Sequence, residues 1–214
     1  MGNAHLVPLF VNWLFVAFFV LGTQANRQSW ILNRIKRAPV QDTSKNALTQ
    51  AERDEFLNKH NEYRGQVSPT AANMRKMVWN SELESMAQEW ANRCIYEHGQ
   101  PTRDPPPFKN IGQNIWAGTG GYDTTGSVTA WYNEVTDYTY SDNTCASGKV
   151  CGHYTQVVWD DSYALGCGIA YCSSIATLGP GYFIVCNYGP AGNWGGEKPF
   201  DSGTSCSVCP TGYT

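Results

Sequence analysis

Much of what marks a familiar hydrolase or a membrane protein is missing from this chain. Its 214 residues contain no Gly-x-Ser-x-Gly and no His-Glu-x-x-His. The exposed serine of a nucleophile elbow and the paired histidines of a zinc-protease helix are therefore not on offer. No Asn-x-Ser/Thr occurs, so ordinary N-glycosylation is not expected. There is no internal repeat and no long low-complexity tract. Basic residues are few: 15 Lys and Arg stand against 18 Asp and Glu, a net charge of −3. The first 37 residues hold four of those bases and no acid, so their removal leaves 11 against 18, or −7. An acidic domain without a basic cluster repels nucleic acid and anionic membrane surfaces. Histidine is scarce as well. Of four, only His60, His98 and His153 lie beyond the leader. After the leader, no transmembrane segment and no apolar tail suited to a lipid anchor is expected.

The leader itself reads as a secretory signal over residues 1–25. Its apolar core, Leu6 to Leu21, is interrupted by Pro8 and Asn12, and a spanning helix needs roughly 20 apolar residues. A signal anchor is the alternative. Arg34-Ile35-Lys36-Arg37 has the spacing of a furin-type processing site, which would make 26–37 a propeptide; an ordinary basic patch is the other reading. All eight cysteines lie downstream, at 94, 145, 151, 167, 172, 186, 206 and 209. An even count behind a secretory signal points to disulfides, in any of 105 pairings. Zinc held by four thiolates is the alternative, but only one Cys-x-x-Cys is present.

Local patterns set out the elements. Thr49-Gln50-Ala51-Glu52 fits a capping box opening a helix that runs to Tyr63 or Arg64. Ser81-Glu82-Leu83-Glu84 is read as a second box. It opens a stripe of Leu83, Met86, Ala87, Trp90, Ala91 and Cys94, with His98 and Gly99 at the end of that helix. Proline-rich 101–107 is a loop. A strand is expected over 110–117, a glycine- and threonine-rich loop over 118–126, and a helix over 127–138 with Val128, Trp131, Tyr132 and Val135 on one face. Strands are then expected around 153–159, 164–171 and 182–188. The strand reading sets residues 153, 155, 157 and 159 on one face and places His153 at the strand mouth. The tail from 191 is read as irregular. Helices followed by strands in this order point to an α+β layered domain.

Two runs carry a resemblance. They are Gly152-His153-Tyr154-Thr155-Gln156-Val157-Val158-Trp159 and Phe183-Ile184-Val185-Cys186-Asn187-Tyr188-Gly189-Pro190-Ala191-Gly192-Asn193-Trp194. Together with His60-Asn61-Glu62-Tyr63-Arg64, an HNxxR helix, they resemble the signatures of the CAP superfamily (cysteine-rich secretory proteins, antigen 5 and pathogenesis-related protein 1). The tail segment Gly203-Thr204-Ser205-Cys206-Ser207-Val208-Cys209-Pro210 is similar to the glioma-pathogenesis-related and peptidase inhibitor 16 branch. In cysteine-rich secretory proteins a larger cysteine-rich module follows, and its channel-blocking activity is not implied here.

The resemblance implies a three-layer α-β-α sandwich, with the CAP domain over 50–190 and a cysteine-containing extension over 191–214. It implies the pairs Cys94–Cys172, Cys145–Cys151 and Cys167–Cys186, leaving Cys206–Cys209 as a local bridge. It also implies a cleft tetrad of two histidines and two acids, which falls on His98, Glu134, His153 and Gln113. Many members have Glu where this chain has Gln113. The amide removes one negative charge and one strong acceptor. Two neutral imidazoles suit zinc, copper or nickel but fall short of the three protein ligands usual for catalytic zinc. No cofactor is required on this reading; a weakly bound, water-completed zinc at His98 and His153 is the expectation. A buried hydrogen-bond cluster is the bland alternative, and His60 is read as a bonded core histidine.

Three functions follow. The first is a secreted, extracellular, non-catalytic protein that binds a lipid, sterol or other small hydrophobic ligand, with Trp116 and Tyr122 beside the 118–126 loop as contacts and with immune or partner modulation. The second is a metal-dependent hydrolase using His98, Glu134 and His153. The third is a protein–protein interaction module without a small ligand.

Overall fold

The computed structural model describes residues 42–101 and 107–209. The segments read as a signal peptide (1–25) and a propeptide (26–37), most of the proline-rich loop and residues 210–214 lie outside them. In chain order the elements are α1 (Gln50–Arg64), β1 (Val78–Trp79), α2 (Ser81–Ala91), β2 (Gly112–Gly118), α3 (Thr124–Tyr132), a 3-10 helix (Asn133–Asp137), β3 (Tyr138–Thr139), β4 (Thr144–Cys145), α4 (Gly152–Val157), β5 (Ala164–Ile175) and β6 (Gly179–Gly189). Four strands form one sheet in the order β1-β5-β6-β2, and β3 and β4 form a separate hairpin. β1 runs parallel to β5, and the β5–β6–β2 pairs are antiparallel.

The period-2 pattern of β6 makes the sheet the middle layer. Tyr182, Ile184, Cys186 and Tyr188 face one side, where they join Phe56, Val128, Trp131, Tyr154 and Val157 from the helices α1, α3 and α4. Phe183 and Val185 face the other side and meet Ala87 and Ala91 of α2. The result is the helix–sheet–helix sandwich. Two glycines of β5 let α2 settle directly on the strand. A Cβ on Gly166 would lie 2.1 Å from the Glu84 backbone nitrogen, and one on Gly168 would lie 2.4 Å from Gln88 backbone atoms. Neither helix backbone can move aside as a flexible side chain could, so these positions require glycine.

The first capping box forms as read: Thr49 accepts from the Glu52 N–H, and Glu52 reaches back to the Thr49 N–H. The second does not. Asn80 caps α2 by accepting from the Leu83 N–H, while Glu84 is drawn to Arg53 and the Trp79 indole. Nor does α2 reach His98. It stops at Ala91, and Cys94 turns the chain with φ 56°. The third helix starts three residues earlier than read, because Asp123 caps it by accepting from the Gly126 N–H, and it tightens into the 3-10 turn after Tyr132. The largest correction concerns 153–159, which is no strand. Gly152–Val157 is a short helix. Glu134 accepts from the backbone N–H groups of His153 and Tyr154, supplying the anionic cap that the segment lacks locally. Tertiary contact thus overrides the β-propensity of Val157, Val158 and Trp159. The strands 164–171 and 182–188 are present and longer than read. β1 and the β3–β4 hairpin have no counterpart in the sequence reading.

Four disulfides link Cys94–Cys172, Cys145–Cys151, Cys167–Cys186 and Cys206–Cys209, the pairs implied by the resemblance. They differ in weight. Cys94–Cys172 has a sequence separation of 78 and Cys206–Cys209 of 3. Chain-entropy arguments give about 4.5 kcal/mol for the first and about 2 kcal/mol for the second. The tail is held independently by backbone hydrogen bonds from Ala72 to Asp201, Gly203 to Thr70 and Val208 to Ala72. Among the described residues no helix is long and apolar enough to cross a membrane.

His60 is fully buried and neutral by design of its surroundings. Its Nδ1 lies 2.8 Å from the Phe56 carbonyl, and its Nε2 lies 2.8 Å from the Tyr188 hydroxyl. The carbonyl can only accept, so Nδ1 carries the proton and Tyr188 donates to Nε2. Burial, with the nearby Arg64 charge, pushes the His60 pKa down to about 4. Asp160 goes the other way, raised to about 6 by burial and by the neighbouring Asp161 and Asp201, against the hydrogen bond from the Asp161 N–H and the Arg64 charge. The two oppose each other in acid. As pH falls from about 6.5 to about 4, the unfolded chain binds the His60 proton before the native one does, which costs up to about 3 kcal/mol. Between about 6 and about 4 the native state binds the Asp160 proton first and gains stability. We expect Asp160→Asn to melt with a steeper loss of Tm below pH 6.5 than the parent chain, measured by calorimetry across pH 4–7. Parallel curves would refute the assignment.

Candidate functional site

The site is built from three segments that the sheet brings together. β2 is an edge strand and carries Gln113, Asn114 and Trp116. The 3-10 turn carries Glu134, three residues beyond Trp131, which sets the two side chains on one face. Helix α4 carries His153, and the stretch after α2 carries His98. His98 and His153 lie 55 residues apart in the chain, yet their ring centroids are 6.3 Å apart. The indole of Trp131, 2% exposed, lies parallel to His153 at 6.4 Å and donates to the Ile115 carbonyl. It is a fixed aromatic neighbour of the imidazole.

Hydrogen bonds settle how each ring is presented. Glu134 Oε1 lies 2.6 Å from His153 Nδ1, while Oε2 accepts from two backbone N–H groups of α4. The carboxylate can only accept when ionised, so Nδ1 carries the proton. At His98, Nδ1 lies 3.1 Å from Gln113 Oε1. The orientation of that amide is dictated by the main chain: its oxygen accepts from the Gly99 N–H at 3.1 Å, and its Nε2 donates to the Gly99 carbonyl at 2.7 Å. A further donation reaches Asn187 Oδ1 at 3.2 Å. Nδ1 of His98 therefore also carries the proton. Each ring presents its Nε2 as a lone pair, and among the described residues that nitrogen has no protein hydrogen-bond partner.

Gln113 is thus more than a weakened carboxylate. It pairs with both the backbone N–H and the backbone C=O of Gly99, which a carboxylate cannot do. Asn114, beside it, is buried and donates to the His153 carbonyl and to the Tyr188 hydroxyl. Tyr188 in turn reaches His60, so a buried polar chain runs from α1 to the backbone of the site histidine. Asn114 and Asn187 escaped the sequence reading. The available signal was an amide inside each of two apolar strands, where every polar group needs a partner.

The ligand contacts part company. Trp116 sits half-buried on the edge strand β2. Tyr122 is 5% exposed, packs against Tyr182 and donates to Glu52 at 2.6 Å. Burial and the Glu52 carboxylate raise its pKa. It is a core wedge with no face left for a ligand, which corrects its grouping with Trp116. Among the described residues no group of three or more His, Cys, Asp or Glu is placed to hold a metal ion. The geometry explains this: Glu134 serves the Nδ1 side of His153, and the fourth tetrad position is an amide.

The Gln113 pairing yields a test. Gln113→Glu sets a carboxylate oxygen against the Gly99 carbonyl and removes the donor to Asn187. We expect a loss of about 1 kcal/mol at neutral pH, since the partly buried Gly99 carbonyl loses its donor while Asn187 keeps one from Gln100. The deficit relative to the parent chain should shrink below about pH 4, where a protonated Glu can donate again. Denaturant melts at pH 7 and pH 4 measure it, and an unchanged midpoint at pH 7 would count against the pairing.

Comparison with known proteins agrees with this construction. The profile of the cysteine-rich secretory protein family, CAP, matches residues 57–188, more than half of the chain. GLIPR1-like protein 1 of Homo sapiens is 41% identical over 161 residues, covering 73% of this chain and 65% of its own. Peptidase inhibitor 16 of Mus musculus is 39% identical over 171 residues, covering 78% of this chain and 33% of its own. The chain spans about a third of the length of several such relatives. Among solved structures, NaASP2 crystallised with Zn2+ superposes with a TM-score of 0.62 at 30% identity, covering 78% of this chain and 94% of that one. Sequence motifs, layer order and these matches converge: the chain belongs to the cysteine-rich secretory protein (CAP) family.

Proposed function

We propose that this chain is a secreted, non-catalytic extracellular binding protein, whose ligand is a lipid, sterol or other small hydrophobic molecule and which modulates an immune or protein partner. The observation that carries the non-catalytic part is the commitment of Glu134. Its carboxylate already accepts from two backbone N–H groups and from His153 Nδ1, so it orients a ring and caps a helix. A nucleophilic mechanism needs a hydroxyl or thiol within hydrogen-bond reach of a base. The hydrogen bonds of His98 and His153 run to the Gln113 and Asn114 amides and the Glu134 carboxylate, and all eight cysteines are paired. Secretion is supported by the disulfides, by the leader motif and by relatives that bear the name cysteine-rich secretory protein.

A divalent cation fits this site in part. The two Nε2 lone pairs of His98 and His153 are presented together, as neutral imidazole ligands of zinc are. Two protein ligands are fewer than the three of a catalytic site, so water would complete the shell. Zinc bound there would supply a local positive charge. The residues of this chain supply orientation: Glu134 and Gln113 hold the rings, and Trp131 backs His153.

Two measurements test the proposal. Purified protein should bind radiolabelled sterol or fatty acid saturably, with binding weakened at least about tenfold, or 1.4 kcal/mol, by Trp116→Ala; absence of saturable binding removes the lipid reading. Calorimetric zinc titration should give weak, one-site heat that His153→Ala abolishes, and a flat trace from the parent chain removes the metal reading.

A further inference from the structure

A concavity of about 430 Å3 lies between the end of α1, the 65–76 segment and the tail. Its lining includes Arg64, Arg75 and Lys76 and no Asp or Glu, in a chain whose acids outnumber its bases. Arg75 pairs with Asp161 and lies over the Tyr163 ring, whereas Lys76 is exposed. Arg64 is 2% exposed and spends its guanidinium on backbone carbonyls, so Lys76 is the lining cation left to favour an anionic guest. Cys206 stands at its rim.

The bridge at that rim is unlike the other three. In each of those three at least one cysteine is buried, Cys167 and Cys186 fully and Cys172 and Cys151 at 1% and 6% exposed, although Cys94 is half-buried and Cys145 exposed; at the rim neither Cys206 nor Cys209 is buried. On the side away from solvent, Cys209 Sγ lies 3.5 Å from the Met74 carbonyl and 4.0 Å from the Ala72 carbonyl. A disulfide sulfur has no hydrogen to give these acceptors, and a thiol has one. Reduction therefore gains a hydrogen bond that the oxidised form lacks. The tail also has its own backbone bonds to residues 70–72 and an Asn73 contact to the Asp201 N–H, so opening the bridge need not release it.

We propose that Cys206–Cys209 is a thiol–disulfide exchange site for small anionic thiols. The guest's thiolate attacks Cys206 Sγ from the cavity. The Cys206–Cys209 bond breaks, and its electron pair leaves on Cys209 Sγ, which takes a proton and donates it to the Met74 carbonyl. The product is a mixed disulfide at Cys206. A second guest thiolate then attacks the guest sulfur, forming the guest disulfide and leaving both cysteines reduced; two electrons pass from two thiols to the protein. The Cys-x-x-Cys spacing keeps the resolving sulfur within reach, so the reverse reaction reoxidises the pair.

The probe is glutathione, whose two carboxylates suit the Lys76 cation, with neutral 2-mercaptoethanol as control. Intact protein is incubated with each thiol, free cysteines are alkylated at intervals, and the labelled sites are mapped by mass spectrometry. Cys206 and Cys209 should open at least about tenfold faster than any other pair, Cys145–Cys151 included. Lys76→Glu should slow opening by glutathione several-fold and leave the neutral thiol unaffected. In Cys209→Ser, glutathione disulfide should trap one glutathione at Cys206. The proposal is overturned if another pair opens first, or if Lys76→Glu changes both thiols alike. These rates are read from the parent chain and a surface variant, so they stand even if Cys209→Ser fails to fold.

Discussion

Arg64 closes α1 and is buried with no carboxylate in its hydrogen-bond shell. Its guanidinium donates instead to backbone carbonyls of Arg75, Val157, Trp159 and Asp160. Burial lowers its pKa to about 9, so it stays charged at neutral pH. The fork of five donors is what allows one side chain to serve two chain segments at once; a lysine at this place has the charge without the geometry. Because these carbonyls include the end of α4, the clamp sets where the helix bearing His153 can lie. The 75–78 segment, which leads into β1, is tied by the same group. Helical layer, sheet edge and site are thus referred to one buried cation.

Around that anchor the polar interior is a sequence of matched donors and acceptors. His60 gives its proton to the Phe56 carbonyl and accepts from Tyr188. Tyr188 accepts from Asn114, and Asn114 also reaches the His153 carbonyl. Each member is satisfied by the next, which is the condition under which a buried polar chain stabilises rather than weakens a core. Glu134 and Gln113 extend the same logic to the surface. They fix the ring protons on Nδ1 and leave each Nε2 without a protein partner among the described residues. The chemistry that a ligand meets is decided by acceptors placed behind the rings.

The cysteines divide by function in the same spatial terms. Cys167–Cys186 crosses β5 and β6 at directly opposed residues, and Cys94–Cys172 joins the stretch after α2 to the sheet. Each keeps at least one cysteine buried. In the tail bridge neither cysteine is buried, and it borders the concavity that Lys76 lines.

Much of this was legible from the linear chain. The Thr49–Glu52 box, the alternation of β6, the stripe of α2 and the even set of cysteines each rest on local chemistry, and each keeps its meaning wherever the segment sits. The family motifs named the tetrad positions. What failed were features that depend on a partner from elsewhere. Residues 153–159 have the composition of a strand and become a helix because Glu134, far from them in the local pattern, caps their first turn. Ser81 loses its cap to Asn80 because Glu84 is claimed by Arg53 and Trp79. Tyr122 looked like a loop aromatic and is core, because Glu52 and Tyr182 wait for it. Gln113 could be read only as an acid lost, since its pairing with Gly99 exists once β2 lies beside the stretch after α2. Sequence alone settled most element types, the even set of cysteines and an α+β layered class, since these follow from spacing and periodicity, while the three-layer α-β-α arrangement came with the family resemblance. The three-dimensional packing decided protonation faces, caps and burial, because a hydrogen bond's worth depends on which distant group has been brought within 3 Å.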